Sequence, residues 1–345
     1  MTVKSGTEVC PRRMLLPAAA LAFGLVYIVS SAGETLAIKG LNYNVPSIAL
    51  PAYTAFMCNQ MWILLVPVYV CQKREETPDK KSYLRDYIGL GVLTFVITIL
   101  RNVSLNAMPG SVFALLISTS IVFNIGISWR LGRRFNQWHI LAAALCICSA
   151  ASIGISAFLT TQEAMEGSNY TLGVPTALSA AFFVATLTLW QEKLQAGWDD
   201  INRRLVEMAL VSSVTASLLT IVYGVFTHEL RLWGPSLSGG GAVAIGVSIA
   251  LPILKLLIRN SKYSTIQYSS AFFFEFVQAS GSLFSSVANI LVFGEPWNSG
   301  YIVAFICMAA SFAAYSYAKV ASRSSKALVK EASVDPIIIV VSPWK

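Results

Sequence analysis

Ten apolar segments, each about 20 residues long, constrain the fold of this chain more than any other feature of its sequence. A helix of about 20 residues spans the ~30 Å hydrocarbon core of a bilayer. Charged residues make up only 12% of the chain, against about 25% in soluble domains. We therefore predict an all-α membrane protein with ten transmembrane helices. The predicted spans are residues 14–38, 47–71, 86–107, 109–129, 138–158, 173–191, 205–226, 241–258, 265–291 and 299–319.

The basic residues fall in alternate loops, which gives the orientation of the spans. All 25 Lys and Arg residues except Lys39, Arg101 and Arg231 fall on one side of the predicted membrane. By the positive-inside rule that side is the cytoplasm, so both termini are cytoplasmic and the number of spans is even. This distribution accounts for the net charge of +8 without a nucleic-acid partner. The lipid bilayer is the partner that the composition requires.

A short sequence recurs after the predicted fourth and ninth spans, and its two copies differ in charge. LGRRFNQWHI and FGEPWNSGYI share a glycine, an asparagine and an isoleucine, but Arg133 and Arg134 of the first copy are replaced by Glu295 and Pro296 in the second. A duplicated five-span unit enters the membrane inverted, and the charge rule then excludes arginine from the second copy. Inverted repeats are typical of secondary transporters, whose substrate site lies near the midplane between the halves.

The repeat predicts how the chain is organised. The predicted parts are a cytoplasmic N-terminus (1–13), a first five-helix half (14–158), a lumenal loop (159–172), a second five-helix half (173–319) and a cytoplasmic tail (320–345). Asn169 begins a glycosylation sequon in the lumenal loop, which is the side on which glycosylation occurs.

Two polar stripes lie inside predicted spans, where lipid-facing residues would be apolar. Glu275 is placed near the midplane of the ninth span, with Gln278 and Ser282 on the same helical face. Ser120 and Asn124 share one face of the fourth span. Because ionisable residues at this depth tend to mark transport pathways, we predict that these side chains line a substrate cavity. The alternative is a protonated glutamate and interhelical hydrogen bonds that only hold helices together.

Two basic residues, Lys255 and Arg101, fall near the ends of their predicted spans. Either each extends its charged group to the interface, or it faces inward and provides the fixed positive charge that a phosphate-bearing substrate needs. Glu34 and Glu207 are expected among the lipid headgroups at opposite interfaces.

Nothing in the sequence predicts an enzyme. Neither of the two His residues has a nucleophile or ligand partner nearby in sequence, and Cys146 and Cys148 point to different faces of a helix. The ATP-binding motif G-x-x-x-x-G-K-[ST] does not occur. We therefore expect no catalytic residue, no metal and no cofactor, and transport of a small molecule driven by a gradient or by exchange.

Four stretches resemble the nucleotide-sugar transporters of the drug/metabolite transporter superfamily: LRNVSLNAMPGSVFALL, LGRRFNQW, LTLWQEKL and GGGAVAIGVSIALPILKLLIRNSKYST. The resemblance implies an antiporter of the Golgi or endoplasmic reticulum membrane that exchanges a nucleotide sugar for its nucleoside monophosphate, with a homodimer left open. Lys255 and Lys262 keep the seven-residue lysine spacing of that family. Glu192 matches a family position at the cytoplasmic end, and we expect Glu192 and Lys262 either to act in gating or to mark that end.

The chain departs from this family where the substrate would bind. FALLISTSIVF replaces the Tyr-Gln pairs and lysine of the fourth span, while NSKYSTIQYSS resembles chloroquine-resistance-type transporters and purine permeases share the general plan. An uncompensated carboxylate at Glu275 would repel phosphate. The alternative function is therefore a proton-coupled or cation-type carrier of purines, amino acids or peptides, with a vacuolar or plasma membrane as the alternative location. A non-transporting membrane sensor or scaffold is the alternative of another class.

Overall fold

The structure is a computed structural model that describes residues 12–44, 51–71, 83–107, 113, 116–133, 135–160, 170–196, 201–293, 297 and 299–332. These residues form eleven α-helices and no β-strand. The helices are α1 (Arg12–Asn44), α2 (Pro51–Asn59), α3 (Trp62–Cys71), α4 (Leu84–Ala107), α5 (Ser120–Arg130), α6 (Gln137–Thr160), α7 (Tyr170–Gln195), α8 (Ile201–Phe226), α9 (Leu230–Tyr268), α10 (Ala271–Phe293) and α11 (Gly300–Ala332).

Eight segments among the described residues are long and apolar enough to cross a membrane. They are Ala18–Leu41, Pro51–Cys71, Leu84–Ala107, Thr171–Gln195, Arg203–Phe226, Gly241–Tyr268, Ala271–Phe293 and Gly300–Ala318. An all-α, multi-pass membrane protein is thereby confirmed. The predicted fourth and fifth spans are not among the eight, since residues 109–112, 114 and 115 of the fourth lie outside the described residues, and in α6 the described apolar stretch ends at Ser152. The ten spans and the inverted halves therefore stay predictions.

The predicted eighth and ninth spans have different ends in the structure. The helix α9 continues to Tyr268, and α10 begins only at Ala271. Arg259, which the sequence places at the membrane interface, is instead buried. Its guanidinium donates to the Ala209 carbonyl at 3.4 Å and to the Ser212 hydroxyl at 3.1 Å, both on α8. A charged residue whose hydrogen bonds are made inside the protein does not mark the end of a span.

Helices of the first predicted half pack mainly on helices of the second. The helix α1 packs on α9 and α10, α4 packs on α7 and α8, and α6 packs on α11. One apolar core joins α1, α6, α10 and α11, and another joins α4, α7 and α8. The short helix α5 contacts both α7 and α10, so its polar face lies between the two cores.

The turn after α5 has the conformation that favours glycine. Gly132 has a φ of 84°, in the left-handed region that residues other than glycine rarely adopt. The N–H groups of Gly132 and Arg133 donate to the carbonyls of Trp129 at 2.9 Å and Ser128 at 3.0 Å, as at many helix ends. The recurring glycine is thus explained in the first copy. Arg134 and residues 294–296 and 298 lie outside the described residues.

Candidate functional site

The two predicted polar stripes meet in the structure. The Ser120 hydroxyl of α5 donates to Oε2 of Glu275 on α10 at 2.5 Å, and Asn124 Nδ2 donates to Oε1 of the same carboxylate at 3.4 Å. The Gln278 amide Nε2 in turn donates to the Ser120 hydroxyl oxygen at 3.4 Å. We call Ser120, Asn124, Glu275 and Gln278 the carboxylate cluster. All four are residues that the sequence singled out, and they connect the two predicted halves.

Helical spacing orients the members of this cluster. Ser120, Asn124 and Ser128 follow one another at four-residue intervals, so they share one face of α5. The Ser128 hydroxyl donates to Asn124 Oδ1 at 3.4 Å, which leaves the amide nitrogen of Asn124 to face the carboxylate. On α10, Gln278 lies one turn beyond Glu275. Ser282 does not join the cluster through its side chain, because its hydroxyl donates to the backbone carbonyl of Gln278 at 3.4 Å.

The side chains that bond to Glu275 are uncharged. The carboxylate is only 1% exposed, and the Thr188 hydroxyl of α7 is a further polar neighbour. Lys262 acts on Glu275 electrostatically, but its amino group lies over the ring of Phe274, 5.2 Å from the centroid. Among the described residues, the ion pairs within 4.0 Å do not include Glu275. Its carboxylate is therefore held by neutral donors.

A second carboxylate, Glu34, is buried beside a cation. Its Oε1 lies 2.7 Å from Lys255 Nζ and accepts a hydrogen bond from the Cys58 thiol at 3.6 Å. The predicted place of Glu34 among the headgroups is wrong, since this residue is 5% exposed. Lys255 lies about 20 Å from either end of the segment Gly241–Tyr268 at 1.5 Å per residue, so it has no nearby interface to reach. Its charge is compensated by Glu34.

Arg101 stands apart from the carboxylate cluster. It is partly buried on α4, with its guanidinium 5.9 Å from the ring centroid of Phe113, and it acts on Glu34 electrostatically. Its Nε is buried and has no hydrogen-bond partner among the described residues. Arg101 and Lys255 are thus both neighbours of Glu34, and the structure does not bring them to Glu275.

Glu192 links three elements at the ends of the helices that the basic loops predict to be cytoplasmic. Its Oε2 lies 2.5 Å from Arg133 Nη1, in the turn after α5. Its Oε1 accepts the N–H of Ala271, the first residue of α10, at 3.2 Å. Glu192 lies one turn beyond Thr188 on α7, and Ala271 lies one turn before Glu275. We call Arg133, Glu192 and Ala271 the cytoplasmic closure, because it lies one helical turn from Thr188 and Glu275 toward that predicted side.

Several polar atoms near the same ends of α7 and α9 are buried without a hydrogen-bond partner among the described residues. They are Gln191 Oε1, both amide atoms of Gln195, and the Thr265 hydroxyl. The two glutamines lie one turn apart at the end of α7, and Thr265 lies at the corresponding end of α9. An unpaired polar atom away from water destabilises a structure by about 1–3 kcal/mol. Such atoms gain hydrogen bonds wherever water reaches them.

Sequence reasoning missed three residues of this region. Thr188 has a usable indication, since it precedes Glu192 by one helical turn in LTLWQEKL. Tyr27 packs edge-on against Phe274 with centroids 4.8 Å apart and acts electrostatically on both buried carboxylates. Cys58 is buried at the end of α2. The contacts of Cys58 with Glu34 on α1 and of Tyr27 with Phe274 on α10 join different helices, so the sequence gives no indication of them, although Tyr27 precedes Glu34 by two turns on α1.

Other predicted features fall where the structure gives no account of them. The glycosylation candidate Asn169, residues 1–11 and residues 333–345 lie outside the described residues. No cluster of three or more His, Cys, Asp or Glu residues suited to a metal occurs within the part of the chain that the structure describes.

Comparisons with known proteins identify the relatives of this chain. A family model described as purine nucleobase transmembrane transport matches residues 42–325. A protein of known crystal structure superposes with a TM-score of 0.59 at 13% identity, over 86% of this chain and 96% of that chain. At this identity the superposition supports the fold alone. No curated protein matches the chain.

The family match corrects the sequence analysis. The resemblance to nucleotide-sugar transporters of the drug/metabolite superfamily is wrong as a family assignment, because the matching model is that for purine nucleobase transport. The phosphate argument fails for a physical reason as well, since Lys255 is neutralised by Glu34. The antiporter mechanism and the Golgi location came with that resemblance and have no other support. The alternative of a purine carrier fits better.

Proposed function

Because this chain belongs to the family of purine nucleobase transmembrane transporters, we propose that it carries a purine base across the membrane together with a proton. A multi-pass membrane transporter of a small molecule follows from the family and the spans. The finer proposal depends on one observation: Glu275 is buried where α5, α7 and α10 meet, and it is bonded to neutral donors.

The chemistry of a purine base suits this cluster. Purine bases are uncharged near neutral pH and present N–H donors beside ring-nitrogen acceptors. Such a substrate needs hydrogen-bonding partners and no fixed cation. A carboxylate offers an acceptor, and the amide of Gln278 offers a donor. The pairing of Lys255 with Glu34 is no obstacle to such a substrate, whereas a phosphate would require an uncompensated cation.

The same carboxylate supports proton coupling. An ionised carboxylate buried in a low-dielectric site is unfavourable unless it is compensated, and Glu275 has no cation within ion-pair distance among the described residues. Uptake of one proton removes this charge. A carrier that must neutralise Glu275 before its loaded form crosses the membrane couples substrate movement to proton movement.

We further propose that the cytoplasmic closure is a gate in an alternating-access cycle between two inverted five-helix halves. Arg133 and Glu192 separate when the gate opens, and water then reaches Gln191, Gln195 and Thr265. Their unpaired polar atoms support this step, because hydration offsets their desolvation and keeps the closed and open forms close in free energy. Lys262 of α9 is a further part of this proposed gate, because its charge acts on Glu275.

The test is adenine transport by purified protein in liposomes. With an inward proton gradient, we expect accumulation of labelled adenine that a protonophore abolishes. Adenine counterflow without a gradient would retain the carrier and refute the proton coupling. An absence of counterflow across a panel of purines would favour a sensor or scaffold. A fluorescent fusion tests location, for which we propose the vacuolar or plasma membrane since the Golgi assignment has lost its support.

A further inference from the structure

We propose that Gln278 determines specificity by donating a hydrogen bond to a purine ring nitrogen, next to the base N–H that Glu275 accepts. This inference rests on the proposed function. It assigns one side chain to one acceptor atom of the substrate. A single face of α10 then recognises a donor and its neighbouring acceptor on one edge of the base.

The placement of the two groups supports this pairing. Gln278 and Glu275 lie three residues apart on α10, so they share a helical face. Both contact the same hydroxyl, that of Ser120, with Gln278 Nε2 donating to it at 3.4 Å and Glu275 accepting from it at 2.5 Å. An amide donor and a carboxylate acceptor are therefore neighbours. Adjacent N–H and ring-nitrogen atoms of a purine edge require that arrangement.

The lengths of the two hydrogen bonds indicate which of them a substrate can replace. The bond from Ser120 to Glu275 is short, whereas the bond from Gln278 to Ser120 is well beyond the usual 2.9–3.0 Å for an N–H donor. Gln278 is also partly exposed, while Ser120 and Glu275 are buried. The Gln278 amide can therefore leave Ser120 and bond to a substrate atom, while Ser120 continues to position the carboxylate.

The other polar members of the region are less suited to this role. Asn124 is fully buried, and both ends of its amide are engaged, with Ser128 and with Glu275. The Ser282 hydroxyl donates to its own helix. Asn124 thus positions the carboxylate, and Gln278 is left as the donor that a substrate can reach.

The recognition does not depend on the protonation state of Glu275. An ionised carboxylate accepts hydrogen bonds at both oxygens, and a protonated carboxyl group keeps an acceptor site. Glu275 can therefore accept the base N–H before and after it binds the transported proton. Adenine has three edges of the required kind: N3 beside N9–H, N7 beside the N6 amino group, and N1 beside the N6 amino group.

The experiment removes the ring-nitrogen acceptor of the substrate and the amide donor of Gln278 separately. Counterflow of adenine is compared with that of 1-deaza-, 3-deaza- and 7-deazaadenine in liposomes containing the wild-type protein or Gln278→Met. In the wild type, one analogue should be transported roughly 10- to 100-fold less well, because it leaves the Gln278 amide unpaired. In Gln278→Met, adenine should fall to the level of that analogue, and the analogue should fall no further, because the two deletions remove the same bond.

Ser286→Ala is the matched control, since Ser286 lies two turns further along α10 and donates to the Ser282 carbonyl at 3.0 Å. It should keep the wild-type preference. Equal losses for adenine and all three analogues in Gln278→Met would overturn the inference, and so would a wild-type protein that transports all analogues alike. The second of these outcomes is measured on the wild-type protein alone, so it does not depend on whether Gln278→Met folds. A wild-type protein that transports no purine would instead refute the proposed function itself.

Discussion

The two buried carboxylates differ in what compensates them. Glu34 on α1 has Lys255 at 2.7 Å and a thiol donor, whereas Glu275 on α10 has the hydroxyl of Ser120 and the amide of Asn124. Removing both charges of a buried ion pair changes little, but removing one leaves an uncompensated charge in the protein. Glu34 is therefore suited to holding helices together, and Glu275 is suited to exchanging a proton and contacting a substrate.

The same difference distinguishes two contacts between the predicted halves. The Glu34–Lys255 pair connects α1 to α9, which pack along much of their length. The carboxylate cluster connects α5 to α10 beneath the cytoplasmic closure. A long contact with a fixed ion pair is suited to a constant element of the structure. A contact without a cation, in which two of the three hydrogen bonds are 3.4 Å long, is suited to breaking and re-forming in each cycle.

The largest expected effect comes from breaking the ion pair. Lys255→Met leaves Glu34 unpaired, and we expect the free energy of unfolding to fall by about 3–5 kcal/mol. The double variant Glu34→Gln/Lys255→Met should recover most of this loss. Denaturant unfolding of the purified protein in micelles measures both. The exposed Lys193 provides the control, since Lys193→Met should change stability by less than about 0.5 kcal/mol. A double variant no more stable than the single one contradicts a structural ion pair.

Glu275→Gln should have the next largest effect, and on transport rather than stability. Glutamine keeps the size of the side chain and can still accept from Ser120, but it cannot exchange a proton. We expect uptake driven by a proton gradient to fall by about 100-fold, while adenine counterflow falls by less than about tenfold. Uptake into liposomes with and without the gradient measures the two quantities. Retention of gradient-driven accumulation would show that another group binds the proton.

The sequence allowed one of these two sites to be predicted and not the other. Helical spacing placed Ser120 with Asn124 and Glu275 with Gln278, and two polar stripes inside apolar spans have few partners except each other. Nothing local indicates that Glu34 pairs with Lys255, 221 positions further along the chain. The positive-inside rule assigned Lys255 to an interface because it lies near Arg259 and Lys262 in sequence. Burial of Arg259 against α8, which only the packed structure reveals, removes that assignment.

The third prediction tests whether the carboxylate cluster lies beneath a gate. Glu192→Gln weakens the ion pair with the half-exposed Arg133 by about 1 kcal/mol, so the cytoplasm-open form should become about fivefold more populated. The buried Thr265 provides the reporter. In a cysteine-free background, Thr265→Cys should react about fivefold faster with a membrane-impermeant thiol reagent added on the cytoplasmic side.

The matched control for this experiment is another cytoplasmic carboxylate. Glu207 lies 3.5 Å from Arg203 within the single helix α8, so Glu207→Gln loses an ion pair of the same kind without separating any helices. The labelling rate should then equal that of the unmodified background. Equal acceleration by both substitutions would mean that the reporter responds to surface charge, and the proposed gate would be wrong.

The smallest effect is expected at Glu229, which lies outside the membrane-spanning segments. Like Glu275, it is bonded to a neutral donor, since its Oε2 accepts the N–H of Ala52 at 2.9 Å. Burial raises the pKa of Glu229 above its ordinary value of 4.5, although the Ala52 hydrogen bond opposes the shift. The folded protein therefore binds this proton more tightly than the unfolded chain does. Its contribution to stability is complete below pH 4.5 and is lost as the pH rises through the folded pKa.

Glu229→Gln removes this titration, so its free energy of unfolding should vary less with pH than that of the wild type above pH 4.5. Gradient-driven adenine uptake should stay within about twofold of the wild type at every pH, because a partly exposed carboxylate outside the membrane is not required to lose its charge during transport. Uptake measured from pH 5 to 8 in Glu229→Gln and Glu275→Gln compares the two residues directly. If Glu229→Gln flattened the pH profile as strongly as Glu275→Gln, depth in the membrane would not be what distinguishes the proton-binding carboxylate.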